Sequence, residues 1–241
     1  MVTIWMIAST AMGAETPPNI PAFEPTVEQA SLLVRGCSEP GLCDFACWDK
    51  AERVAEPARN GRFRLACYQD GKAHGPMVVW LESGQPEGAG FSKEGVPHGG
   101  FRSWHPNGQL ASEGRWVNGQ QVGELLTWYE DGARESKGTW LDGKQHGLVT
   151  YWYQMGGVEE IGQWVGGEPD GPMFSWYDDG TPKAEARYKV GVPHGVWREW
   201  YADGLRHVIA RYKDGIEMRI RCWDEAAKRK TCSKRGVPEG G

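Results

Sequence analysis

The chain has 241 residues, 39% of them apolar and 24% charged, with 13 Trp, 34 Gly and a formal net charge of −5 at neutral pH. Rings and glycines in this excess exclude an ordinary globular core and suit a thin structure that buries apolar area in a few large side chains. The acidic balance excludes nucleic acid as a partner of the main body, because affinity for phosphate is mostly electrostatic.

Residues 1–14 form an apolar stretch that ends in the small residues Ala11-Met12-Gly13-Ala14. This predicts a signal peptide cleaved after Gly13 or Ala14, although no Lys or Arg precedes it, and hence a periplasmic or secreted protein. Residues 15–25, with Pro17, Pro18, Pro21 and Pro25, read as an extended linker. Residues 26–61 are expected to form a small helical cap. Thr26, in capping-box spacing with Gln29, opens a first helix that Gly36 stops; a second is predicted from Asp44 to about Ala55, ended by Pro57 and Asn60-Gly61.

The six cysteines fall in two groups, Cys37, Cys43, Cys47 and Cys67 near one end and Cys222 and Cys232 near the other. An even, end-clustered set agrees with an oxidising compartment and predicts three disulfides. Cys222 and Cys232 close a short loop and are expected to pair, whereas the first four allow three connectivities. Zinc is the rival for that first group, weakened by the absence of a C-x-x-C pair. A bond from Cys67 would staple the cap to the first hairpin.

Residues 62–218 carry a repeat of 24 residues. Glycine recurs at Gly75, Gly99, Gly123, Gly147, Gly171 and Gly195, and five residues after each comes Trp80, Trp104, Trp128, Trp152, Trp176 and Trp200. Glycine also holds the places nine and twenty residues after each origin, as in Gly108 and Gly119. Each unit has two β-favouring runs between turn sequences such as Asp131-Gly132 and Asn118-Gly119, which predicts a hairpin per unit and an all-β antiparallel meander of stacked hairpins. Arg62 to Gly71 supplies half a unit before the first, and Ile220 to Trp223 starts a seventh whose Trp223 falls one residue short. Residues 219–241 are a C-terminal cap and basic tail, with seven Lys/Arg against Asp224 and Glu225.

If the hairpin turn centres ten residues after each origin, each tryptophan faces the smallest column, Gly90, Gly114, Gly138, Gly162, Ala186 and Ala210. Two residues further on the same face come Trp116, Trp140, Trp164, Tyr188 and Tyr212. Both Trp columns are therefore expected to form the core. In the first unit Phe91 comes one place early, and a bulge is expected there.

His98-Gly99, Trp104, Asn107-Gly108, Gly114, Trp116 and Gly119 together resemble the bacterial variant of the MORN repeat, over about 150 residues. That resemblance implies an elongated sheet of stacked hairpins used as a scaffold or interaction surface, with lipid association proposed for some members. Relatives of this kind are often labelled antitoxin-like, which fits poorly with export.

No G-x-S-x-G, H-E-x-x-H, Walker loop or dinucleotide fingerprint occurs, so the expectation is a non-enzyme without a cofactor. His74, His98, His146 and His194 precede the origin glycines, but neighbours at about 9.6 Å are too far apart to share a metal. They are expected to bond the backbone at turns. The partner expected is a protein, with a cell-wall glycan or an anionic lipid as the alternative. The residues after the Trp column, Tyr129, Tyr153, Tyr177 and Tyr201, are expected to line the binding surface, sharing a face with the apolar second position of each unit.

Overall fold

The computed structural model describes residues 47, 50–58 and 62–232. The signal peptide, the linker, the first cap helix, Cys37, Cys43 and residues 233–241 lie outside the described residues. Those described form one antiparallel sheet of 19 strands and contain no helix. Each long strand pairs with the next in the chain, and the six units occupy residues 75–98, 99–122, 123–146, 147–170, 171–194 and 195–218.

Among the described residues the second cap helix is not formed. Glu52–Ala58 is a strand, paired residue by residue with Arg62–Gln69 from Glu52↔Tyr68 to Ala58↔Arg62. Local helix propensity is a weak prior, and here the exposed ladder of Arg62–Gln69, with buried Leu65, Ala66 and Cys67, offers this segment hydrogen bonds that a short helix would forgo. The array therefore starts with a complete hairpin, not half of one.

Two turn types alternate. Within units, Gly132 N–H donates to the Tyr129 carbonyl and Tyr129 N–H to that of Ala133, with Gly132 at φ 86°, a type I turn closed by a left-handed glycine. Between units, Asn118 and Gly119 lie at φ 49° and 81°, a two-residue type I′ turn whose twist matches that of the strands.

The register corrects the expected pairing. Gly90, Gly114, Gly138, Gly162, Ala186 and Ala210 face Met77, Phe101, Leu125, Val149, Met173 and Trp197, not the tryptophans. Trp104 instead pairs with Leu110, across a register shift beside the turn. The turn centres nearer the tryptophan than its glycine suggests, and an odd offset moves a side chain to the other face. Trp80 to Trp200 thus share a face with Val78 and Ala89, while Trp116, Trp140 and Trp164 lie on the opposite, glycine-lined face.

Glycine is needed on that face for room. A Cβ at Gly114 would come 2.8 Å from Cε1 of Phe101 and 3.1 Å from Cδ1 of Leu125, and one at Gly162 would come 2.8 Å from Cε of Met173. The Phe101 and Trp116 rings sit 5.8 Å apart over this gap. In units three to five the only buried residues are Gly138, Val149, Gly162 and Ala186, all in these two facing columns.

The core changes face along the array. At its start Leu65, Val78, Trp80, Ala89 and Phe91 cluster on the tryptophan face. Phe91 pairs with Pro76 and Ser92 with Gly75 without a register shift, so the expected bulge is absent; the displaced ring has crossed to the other side of the sheet. At the far end Val208, Ala210 and Cys222 pack with Trp197, Tyr212, Ile220 and Cys232 on the glycine-lined face.

Disulfides join Cys47 to Cys67 and Cys222 to Cys232, and no described cysteine is free. The first settles the partner of Cys67 and leaves neither of its thiols for zinc. Bonds of this kind form in non-reducing surroundings.

Candidate functional site

The two long margins of the sheet, where the turns lie, are stitched from unit to unit by side chains. On the margin of the within-unit turns, each tyrosine after the Trp column ends its strand and reaches the following unit. The hydroxyls of Tyr129, Tyr153 and Tyr177 donate to the carbonyl oxygens of Trp152, Trp176 and Trp200, each at 2.8 Å. Tyr201 continues the ladder to Trp223 at 2.9 Å, so the seventh unit keeps it despite its missing residue. In unit two His105 stands in the same place, its Nε2 at 2.7 Å from the Trp128 carbonyl. Asn107 adds a bond to the carbonyl of Glu130 at 2.6 Å, and Gln154 one to the Asp131 carboxylate at 3.0 Å.

On the other margin the histidines do the equivalent. Nδ1 of His74, His98 and His194 accepts the backbone N–H of Glu94, Asn118 and Asp214, each a turn residue of the next unit, at 3.3–3.4 Å. This is the backbone-bonding role expected of them. Burial, with Lys93 nearby, lowers the pKa of His98 despite the opposing effect of its bond to Asn118, which keeps the ring neutral and able to accept. Among the described residues no group of three or more His, Cys, Asp or Glu is placed to hold a metal ion.

The tyrosine margin is acidic. Glu130, Asp131, Asp178, Asp179 and Asp203 are exposed at its turns, around half-buried Tyr129, Tyr153, Tyr177 and Tyr201. The phenols register this field. Burial first, then Glu135, Glu159 and Asp131, raise the pKa of Tyr129; burial, Glu159 and Asp178 raise that of Tyr153; burial, Glu199 and Asp203 that of Tyr177. The carboxylate of Asp131 is held low by the N–H of Ala133 and the amide of Gln154. Lys183 Nζ stands 5.8 Å from the centre of the Tyr177 ring, and Lys230 Nζ 3.5 Å from the Tyr201 hydroxyl.

A second surface is the glycine-lined face. Trp116, Trp140, Trp164, Tyr188 and Tyr212 run along it, half-buried, one per hairpin. Trp197 bridges two of them, its ring centre 5.9 Å from Tyr188 and 6.0 Å from Tyr212. Beside the column lie the paired hydroxyls of Ser103 and Ser112 at 2.6 Å and of Thr127 and Ser136 at 2.7 Å. Burial and Glu159 raise the pKa of Glu160, against the pull of Lys183.

Of the residues expected in the core, Trp80 is buried, and Trp104, Trp128, Trp152, Trp176, Trp200, Trp116, Trp140 and Trp164 are half-buried. The tyrosine-to-carbonyl ladder was not foreseen. Its signal was present all the same: an aromatic or histidine side chain with a polar tip follows the tryptophan in five of the six units, at His105, Tyr129, Tyr153, Tyr177 and Tyr201.

Similar hairpins bonded edge to edge and margin to margin define a β-hairpin repeat array, a class of protein that presents surfaces and turn margins in place of one central cleft. Residues 97–118 and 169–189 match the family described as the MORN repeat variant, each match running from a junction between units into the hairpin or to the next junction. Among curated proteins none matches the chain.

Proposed function

We propose that this chain is a non-catalytic, exported scaffold of the cell envelope that holds a protein partner along the margin carrying Tyr129, Tyr153, Tyr177 and Tyr201. One observation carries this reading: the hydroxyl ladder holds four rings in a row at about 9.6 Å intervals, with exposed carboxylates between them. Fixed amphipathic rings cost little entropy on binding, and the surrounding charge selects a basic surface. The MORN repeat, matched at two places, is generally a non-catalytic module, and the two disulfides agree with export.

The test is capture of a partner from an envelope extract by the mature protein and by a variant with Glu130→Gln, Asp178→Asn and Asp179→Asn. These side chains are exposed, so the fold should persist while capture weakens and loses its salt dependence. Equal capture by the variant would remove this margin as the site. Six alkylatable thiols in the native exported protein would remove the compartment.

The column of Trp116, Trp140, Trp164, Tyr188 and Tyr212 favours a second reading, a cell-wall glycan whose sugars stack on rings one hairpin apart. Co-sedimentation with peptidoglycan, with anionic vesicles in parallel, separates this reading from protein binding and from a lipid surface.

A further inference from the structure

The formal charge of the chain is negative, yet cations gather on one side of its C-terminal end. In the strands Pro182–Lys189, Gly195–Trp200, Arg206–Lys213 and Ile216–Trp223, pairing and alternation put Arg187, Arg198, Arg211, Arg219 and Arg221 on the tryptophan face. Lys189 and Lys213 end two of these strands on the same side. The only carboxylate that the four strands place on this face is Glu185, paired with Arg198 at 2.8 Å. Glu199 and Glu217 belong to the other face, where they bond Trp197 and Tyr212. Arg187, Arg211, Arg219 and Arg221 are exposed, and among the described residues no carboxylate pairs with them. Arg211 and Arg219 stand directly opposite each other across the ladder, an arrangement of like charges that costs the fold stability.

Beside this strip runs a row of rings. Trp176, Trp200 and Trp223 lie on the same face one hairpin apart, half-buried, with the guanidinium of Arg206 5.4 Å from the centre of the Trp223 ring. Rings at intervals of about 9.6 Å and cations on strands about 4.8 Å apart match a linear polysaccharide laid across the strands, which advances by about one strand per sugar. We propose that the tryptophan face of residues 182–223 binds an acidic polysaccharide, its carboxylates held by the arginines and every second sugar stacked on a ring. A guanidinium grips a carboxylate through two parallel bonds, and an indole offers a flat apolar face. The strip is also narrow. Exposed Asp178, Asp179, Asp203 and Glu225 occupy the turns beyond the rings, and exposed Glu168 and Asp214 flank the opposite margin. A broad anionic surface such as a bilayer would be repelled at both margins, whereas a single chain stays within the arginines. This site lies on the face opposite Trp116, Trp140 and Trp164 and is independent of the partner proposed for the tyrosine margin.

Calorimetric titration of the protein with a β-1,4-linked mannuronate oligosaccharide, at low and high salt, tests this. The wild type should bind, and more weakly as salt rises. Arg211→Gln with Arg219→Gln should weaken binding at least tenfold, while its melting temperature holds or rises because two opposed like charges are gone. Loss of binding then could not be ascribed to unfolding. Lys137→Gln, further along the same face, should bind as the wild type does. The variant with Glu130→Gln, Asp178→Asn and Asp179→Asn should bind at least as tightly, which separates this site from the tyrosine margin. Polyglutamate of equal charge lacks the sugar faces and a neutral cello-oligosaccharide lacks the charge, so each should bind at least tenfold more weakly. A wild type that does not bind the mannuronate oligosaccharide overturns the proposal. So does an arginine double variant that binds it like the wild type, and so does equally tight binding of polyglutamate, of a single-stranded oligonucleotide or of anionic vesicles.

Discussion

The hydroxyl of Tyr153 donates to the carbonyl oxygen of Trp176 at 2.8 Å, 23 residues ahead. The bond joins the turn of one hairpin to the strand end of the next, and so it acts between units where the backbone ladder acts between strands. Removing the hydroxyl alone isolates its contribution. Tyr153→Phe and Tyr177→Phe should each lower the free energy of unfolding by about 1 kcal/mol, the net value of a single hydrogen bond. Urea titration followed by tryptophan fluorescence checks this. A loss near zero would mean that water replaces the ladder without penalty.

The same phenols should make the fold sensitive to alkali. Burial and the neighbouring carboxylates raise the pKa of Tyr129, Tyr153 and Tyr177 above the ordinary value of about 10. The unfolded chain then gives up these protons more readily than the folded one. The stability they contribute is complete below about pH 10 and is lost as pH rises through their folded values. Melting temperatures between pH 8 and 11 should fall, and the triple Phe variant should show a shallower decline.

At the other margin the sign is reversed. Burial and Lys93 depress the pKa of His98 below its ordinary value of about 6.5, so its contribution is present above that value and is lost as pH falls through the folded one. Stability measured from pH 8 to pH 5 should drop for the wild type and change less for His98→Asn.

Gly114→Ala should be costly although it adds a single methyl group to a strand. Its Cβ meets the ring of Phe101 at 2.8 Å and Leu125 at 3.1 Å, and overpacking of this kind costs about 1–3 kcal/mol. Thermal unfolding should show the loss, and Phe101→Leu in the same chain should recover part of it.

The Cys222–Cys232 bond closes the end of the array over Val208 and Ala210. Replacing both cysteines by serine should cost roughly 2–4 kcal/mol, as for a short native loop. Hydrogen exchange should localise that loss to Arg206–Lys213 and Ile216–Trp223, leaving the first units protected.

The period, the turn chemistry and the backbone role of the histidines were legible because each rests on local residue chemistry: a left-handed φ favours glycine, asparagine or aspartate wherever the chain goes. The face of each column was not. Trp104 pairs with Leu110 and not with Gly114 because the strand register centres the turn between Asn107 and Gly108 and not at Gln109, an odd change in the count, and glycine columns mark turns without marking their centres. Glu52 to Ala55, read as the end of a helix, belongs to the strand Glu52–Ala58 because what makes it a strand is its neighbour Arg62–Gln69 and not its own residues. The hydroxyl ladder escaped for the opposite reason. Tyr129 and Trp152 belong to different hairpins, and the bond depends on how far the sheet twists between them.

The phenol bonds of Tyr129, Tyr153 and Tyr177 on one margin and the turn amides that donate to His74, His98 and His194 on the other each join one unit to the next. Excising or duplicating any whole period of 24 residues therefore rejoins each donor to an acceptor of the same kind. The length of this protein can be edited like a chain of links, one hairpin at a time, without redesign of the joint, whereas a cut of any other size leaves both margins out of step.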